Sequence, residues 1–261
     1  MAEQEMEQTF WDHLDVLRST LLRIAAVFFG CAVVLFFFKT FLFEQIVLAP
    51  TTSDFFLYKL LGNDINLTLQ NIELSAQFFI HIKVTLICAL LLSFPYLVYE
   101  IWRFIAPALY ENEKRATKGA FSFASILFYM GVATAYCVIF PMMLSFFSKY
   151  QVSGQVENIF SLSSYISMFL STLLMFGIVF EFPTVIAVLS SMGIVTRDFL
   201  KSYRRHALCI IMILAAIITP SGDPFTLMIC TVPMYFLYEF SILICRKKAP
   251  VIEEEASDIE E

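Results

Sequence analysis

Ser93-Phe94-Pro95-Tyr96-Leu97-Val98-Tyr99-Glu100-Ile101-Trp102-Arg103-Phe104-Ile105-Ala106-Pro107-Ala108-Leu109-Tyr110-Glu111-Asn112-Glu113-Lys114-Arg115 packs aromatics, two prolines and a charge cluster between two long apolar runs. The flanking runs, 78–99 and 121–144, each have the length of a membrane-crossing helix, about 20 apolar residues. The stretch is therefore a loop between two spans. Composition agrees, because 59% hydrophobic and 15% charged residues, with a mean hydropathy of +0.77, lie outside the range of soluble domains. With lipid as the main solvent, backbone polar groups must be satisfied inside each segment, which predicts an all-α integral membrane protein.

Toward the N-terminus lies a first span, 21–38, preceded by a segment over 10–20 in which Phe10, Leu14, Leu17 and Leu21 recur at helical spacing. Asp12, Asp15 and Ser19 fall on another face, and Thr9-Phe10-Trp11-Asp12 has the form of a helix start. This predicts an amphipathic helix at the membrane surface, turning into the first span. The interval 44–77 mixes Asp54, Lys59, Asp64 and Glu73 with Phe55, Phe56, Tyr58 and Leu60, and the alternation Ile65, Leu67, Leu69 predicts a short extended piece. Together with the similar interval 149–164, it is expected to form a folded cap over one mouth of the bundle.

Beyond 121–144, a long span over 165–192 holds Glu181, and a basic loop follows with Arg197, Lys201, Arg204 and Arg205. The fifth span, 207–218, reaches only about 18 Å at about 1.5 Å per residue, against a hydrocarbon core of about 30 Å. After the turn Thr219-Pro220-Ser221-Gly222-Asp223-Pro224, a sixth span runs over 225–244. Residues 1–248 are read as one membrane domain of six helices and the acidic stretch 249–261 as a disordered tail.

Six spans place both termini on one side of the membrane. Thirteen of the 17 Lys and Arg residues fall on that side, among them Arg18, Arg103, Arg115, Arg197 and Arg246, against Lys39, Lys59, Lys83 and Lys149 on the other. Positive charge accumulates in short cytoplasmic segments, so both termini and the 93–115 loop are expected in the cytoplasm and the cap outside. No cleavable signal peptide is expected, because the first twenty residues carry acids and no apolar core.

Enzyme signatures are missing from the sequence: it has no H-E-x-x-H pair, no G-x-S-x-G elbow and no P-loop. Three scattered histidines and six unpaired-looking cysteines offer no metal or redox motif, so neither a metal nor a cofactor is expected. Among charged residues, Glu181 is the one lipid least tolerates. It is either a carboxyl that is protonated or bonded to a neighbouring helix, or a polar site facing the bundle interior or a partner helix. Glu113 suits the positive end of a helix, and Arg18 suits Asp15 at i+3. Topology nevertheless puts the Asp12 and Asp15 surface on the same side as the Glu113 loop, where two acidic patches would receive a basic ligand.

Several segments carry a resemblance to a known family: Asp12-His13-Leu14-Asp15-Val16-Leu17-Arg18, Phe94-Pro95 through Trp102 to Tyr110 and Glu113-Lys114-Arg115, Tyr136 to Pro141, Phe176 to Pro183, and Thr219-Pro220 with Asp223-Pro224. In this order the chain resembles TatC, the multispanning subunit of the twin-arginine protein translocase. The resemblance implies a receptor in the cell inner membrane for signal peptides with paired arginines. It also implies export of folded proteins by the proton motive force, with single-span partners of the TatA and TatB type and a homo-oligomeric receptor complex. By motif position it implies Glu113 as the main docking carboxylate, with Phe104, Pro107 and Leu109 shaping the loop. Glu181 matches the intramembrane glutamate, and Asp223 the acid of the last external turn. At the N-terminal site the family usually has a glutamate where Val16 stands here, so Asp15 and Asp12 are both candidate substitutes. A rival reading is an ion-coupled small-solute carrier using Glu181.

Overall fold

The computed structural model describes the backbone of residues 10–61, 66–108, 111–155, 158–219 and 222–245, and the side chains of these apart from 10–13, 61, 108, 111–117 and 218. The acidic stretch 249–261 and Leu109 lie outside the described residues, as do the side chains of Asp12 and Glu113. The described chain is almost wholly helical, as a lipid solvent requires. Among the described residues, five stretches are long and apolar enough to cross a membrane: Leu14–Phe37, Ala76–Ile105, Lys118–Lys149, Leu162–Ser191 and Pro224–Ile244. The protein is a multi-pass membrane protein.

Contacts divide the chain into two compact units, one of residues 1–110 and 147–170, the other of 111–146 and 171–261. In the first unit, helix α1 (Phe10–Phe37) packs on α3 (Ala76–Ile105). The amphipathic segment and the first span form one unbroken helix, since no proline or positive-φ residue interrupts 10–37. Pro95 lies inside α3, which runs through it.

Between α1 and α3 the chain makes a π-helical turn (Phe41–Val47), a 3-10 turn (Ala49–Thr51), the short α2 (Phe56–Leu61) and strand β1 (Leu69–Gln70). Buried hydroxyls hold this region together. Tyr58 donates to the Pro50 carbonyl at 2.9 Å, and Tyr165 donates to the Val47 carbonyl at 2.6 Å. Burial also pushes the Tyr58 hydroxyl above its usual pKa. Of the extended piece expected over Ile65, Leu67 and Leu69, Leu69 lies in β1, which pairs in parallel with β2 (Phe160–Ser161) through Leu69↔Phe160 and Gln70↔Ser161, while Ile65 lies outside the described residues. The two polar intervals are thereby tied to each other.

In the second unit, α4 (Glu111–Thr134) leads through a π-helical turn (Ala135–Ile139) into α5 (Phe140–Lys149). The widened turn falls just ahead of Pro141, whose missing N–H interrupts the helical ladder there. The span expected over 165–192 is two helices, α6 (Leu162–Phe180) and α7 (Phe182–Ser191), separated at Glu181. Pro183, at the second position of α7, is the cause: it cannot donate to the turn before it. Then follow α8 (Arg197–Ser202), α9 (Arg204–Ile218) and α10 (Pro224–Ile244). At 15 residues, α9 extends about 22 Å, still short of a hydrocarbon core.

Glycines set the closest helix approach in this unit. A Cβ added at Gly131 of α4 would fall 2.5 Å from the Phe176 carbonyl oxygen of α6, and one at Gly177 would fall 2.7 Å from Cε2 of Phe128. In lipid, where burial of apolar surface gives little drive between helices, such close packing is a main source of association. Of the cysteines, Cys230 and Cys245 are buried, as hydrophobes would be, whereas Cys209 is exposed.

Candidate functional site

The candidate residues of the first unit are positioned by one buried ion pair that the sequence alone does not single out. Arg23 of α1 grips Glu100 of α3 side-on, Nε to Oε1 at 3.0 Å and Nη2 to Oε2 at 2.8 Å. Glu100 is only 1% exposed. Its Oε1 also accepts from the Tyr96 hydroxyl at 2.9 Å, while Ser19 and Thr20 accept from the Arg23 guanidinium. Both carboxylate oxygens are thus engaged, by three donors held on helices, which is what a buried charge needs. The pattern was visible as Tyr96-x-x-x-Glu100, an i,i+4 pair, facing an arginine one span earlier, but a lone acid at a span end attracts less notice than one at its middle.

This pair fixes the register of α1 on α3. The His81 ring stacks on Phe36 at 4.4 Å further along, so the helices run antiparallel. Eight residues before Arg23 is Asp15, and eight after Glu100 is Ala108, each about 12 Å away along its helix direction. Asp15 and Arg18 therefore stand level with the 3-10 turn Ala106–Ala108, beside Phe104 and Pro107. Asp15, Arg18 and Pro107 are exposed and Phe104 is half-buried.

Within α1 the helical period assigns faces. Val16 precedes the buried Thr20 by four residues and so lies on the same side of α1, one turn further out, where it is exposed. Asp15 lies about 100° round from it. Glu113 belongs to the first turn of α4, in the other unit, with its side chain outside the described residues. The register thus places Asp15 and Arg18 at the same level along the α1–α3 pair as Phe104 and Pro107.

Glu181 sits at the break between α6 and α7, its N–H donating to the Ile178 carbonyl at 3.0 Å. Its carboxyl interacts with the Thr184 side chain and the Phe128 backbone, yet Oε1 is buried with no hydrogen-bond partner among the described residues. A buried carboxyl oxygen without a partner is costly, and a helix break is where a polar group can be reached from outside the bundle. Asp223 has a structural duty: it caps α10, its Oδ1 accepting from the Thr226 N–H at 2.9 Å. Glu239 of α10 accepts from Arg204 at 2.7 Å and from Tyr235 at 3.0 Å.

The buried pair makes a direct prediction. Glu100→Ala leaves the Arg23 guanidinium without its acceptor and lowers the melting temperature of the purified protein in detergent. Asp54→Ala, which removes the exposed pair Lys59–Asp54 (63% and 88% exposed side chains), leaves it nearly unchanged. Equal melting of the two variants would deny Arg23–Glu100 its registering role.

Known proteins of the same kind bear on this geometry. The family model for Sec-independent protein translocase protein (TatC) matches residues 12–233. A Sec-independent protein translocase protein TatC from Blattabacterium sp. subsp. Periplaneta americana is 35% identical over 259 residues, covering 94% of this chain and 97% of that one. The Haemophilus influenzae protein of the same description is 34% identical, covering 98% and 96%. A crystal structure of the twin arginine translocase receptor TatC superposes with a TM-score of 0.72 at 31% identity, over 89% of this chain and 97% of that one. A second, in the detergent DDM, gives 0.75 at 30% identity, over 90% and 99%.

Proposed function

The chain belongs to the TatC family of Sec-independent protein translocase proteins, and from that premise we propose that it binds twin-arginine signal peptides at its cytoplasmic face. The family is not one of enzymes, and the protein is a translocase subunit of the multi-pass membrane class. The observation that carries the proposal is the α1–α3 register, which sets Asp15 and Arg18 level with the Phe104 to Ala108 turn. Guanidinium groups pair with carboxylates through two parallel charge-assisted bonds, so a pair of acids on one surface suits two arginines better than two lysines. Glu113 is the principal carboxylate in this reading, with Asp15 or Asp12 its companion and Phe104, Pro107 and Leu109 shaping the loop.

The remaining organisation follows from the charge distribution. One membrane domain over 1–248 crosses the cell inner membrane six times, α9 being the short fifth crossing, with both termini cytoplasmic and the β1–β2 region forming an external cap. Export of folded cargo draws on the proton motive force, with single-span TatA and TatB partners and further copies of this chain in the receptor complex. Asp223 lies in the last external turn. A crossing as short as α9 thins the bilayer beside it or is sheltered by a partner, and either lowers the barrier to a passing protein.

Binding of a twin-arginine signal peptide to the purified protein, with a twin-lysine peptide as control, tests this reading; equal affinity for the two would refute it. Glu181→Ala is expected to keep peptide binding while reducing export of folded cargo from inverted membrane vesicles. Export at the wild-type rate would take Glu181 out of the mechanism.

A further inference from the structure

The loop between α7 and α9 is a basic ledge whose charges are largely unanswered by the described fold. Residues 197–206 contain Arg197, Lys201, Arg204 and Arg205 against one acid, Asp198. Of these four cations, only Arg204 has an ion pair among the described residues, with Glu239. Arg197 Nε is buried with no hydrogen-bond partner among them. Lys201 and Arg205 are exposed, next to the exposed rings of Phe199 and Tyr203, which meet at 4.7 Å. Positions 197 and 201 share one face of α8 by their spacing of four.

The end of α10 is fastened to this ledge. The Tyr238 hydroxyl donates to the Leu200 carbonyl at 2.6 Å, Arg204 reaches Glu239 at 2.7 Å, and the Cys245 thiol lies 3.2 Å from Ser190 Oγ and 3.5 Å from the Val195 carbonyl oxygen. The chain therefore leaves α10 within a few ångströms of residue 195, two positions before Arg197. After Cys245 come Arg246, Lys247, Lys248 and the uncharged Ala249-Pro250-Val251-Ile252, then Glu253, Glu254, Glu255, Asp258, Glu260 and Glu261. Seven residues lie between Cys245 and the first of these acids, eight chain steps with a reach of up to about 27 Å when extended.

We propose that the acidic segment 253–261 docks on the Arg197, Lys201 and Arg205 ledge of its own chain. Six carboxylates meet a surface with three cations that have no ion pair among the described residues, and a short tether keeps them there at an effective concentration on the millimolar scale. Guanidinium groups take carboxylates in bidentate fashion, and the uncharged four-residue spacer carries the acids past 246–248 toward the ledge. Docking neutralises a cationic surface that, by its place between two membrane helices, would otherwise attract anionic lipid headgroups.

The test uses the full chain with p-benzoylphenylalanine in place of Ala256, in nanodiscs of zwitterionic lipid, and maps the photocrosslinks. Crosslinks are expected within 197–206 at about 0.01 M salt. They should fall about ten-fold at about 1 M, as the Debye length shrinks from about 30 Å to about 3 Å and two or three surface ion pairs are screened. The variants Glu253→Gln/Glu254→Gln/Glu255→Gln and Arg197→Gln/Lys201→Gln/Arg205→Gln should each show the same fall at low salt. The first of these alters no residue of the described fold. Crosslinks mapping elsewhere, or unchanged by neutralising the three ledge cations, overturn the proposal. So does their complete loss in nanodiscs containing anionic phospholipid, which would make lipid the occupant of the ledge.

Discussion

Gly131→Ala lowers the stability of the detergent-solubilised protein by about 1–3 kcal/mol, the range for forcing an extra methyl into a packed core. The added Cβ would meet a backbone oxygen, that of Phe176, and a carbonyl held in a helix cannot rotate aside as a side-chain tip can. Either α4 or α6 must therefore move. Gly119→Ala, on the same helix with nothing within 4 Å of the added atom, is the control and should leave stability within about 0.5 kcal/mol of wild type. Thermal melting of the two variants side by side decides the point. If they melt together, the close approach of α4 to α6 is not what holds this unit.

Glu113→Ala weakens binding of a twin-arginine signal peptide by about 1–3 kcal/mol, the scale of losing a charge-assisted hydrogen bond, or about ten-fold and more in affinity. Asp15→Ala should weaken it less. Asp15 lies about 100° round α1 from the Val16 position, which shares the face of the buried Thr20. Val16→Glu, which restores a carboxylate on that face, should tighten binding. Isothermal titration with one peptide across the three variants checks the order, and wild-type affinity in Glu113→Ala would mean that the arginine pair docks elsewhere.

The long apolar runs were legible because lipid imposes a length on them and leaves the chain little choice but helix. Less legible were events inside a run. Pro183 and Glu181 stood in plain view in 165–192, yet hydropathy averages over them, and the break between α6 and α7 is set by one missing N–H. Continuity from 10–20 into the first span escaped reading for the opposite reason, since a change from amphipathic to apolar composition need not bend a helix. Glu100 was hidden by its setting among aromatics at the end of a span. Its partner Arg23 counts in sequence only as one more positive charge at a span end, and pairing across 77 positions depends on register that no local pattern carries. Asp223, suggested by resemblance as a site acid, is a helix cap, and the Asp-Pro start followed by Thr226 was a local sign of it.

Leu69 and Phe160, 91 positions apart by subtraction of their numbers, are neighbours in the small parallel ladder. The chain between them includes all of α3, α4 and α5. Two strands of two residues each cannot offset the entropy of closing so large a loop, so the ladder can form only once the intervening helices have inserted and brought its ends together. The pairing is thus a late event in biogenesis. Until α3, α4 and α5 are in place, Leu69 and Gln70 have no partner strand, and the link between the two polar intervals is open.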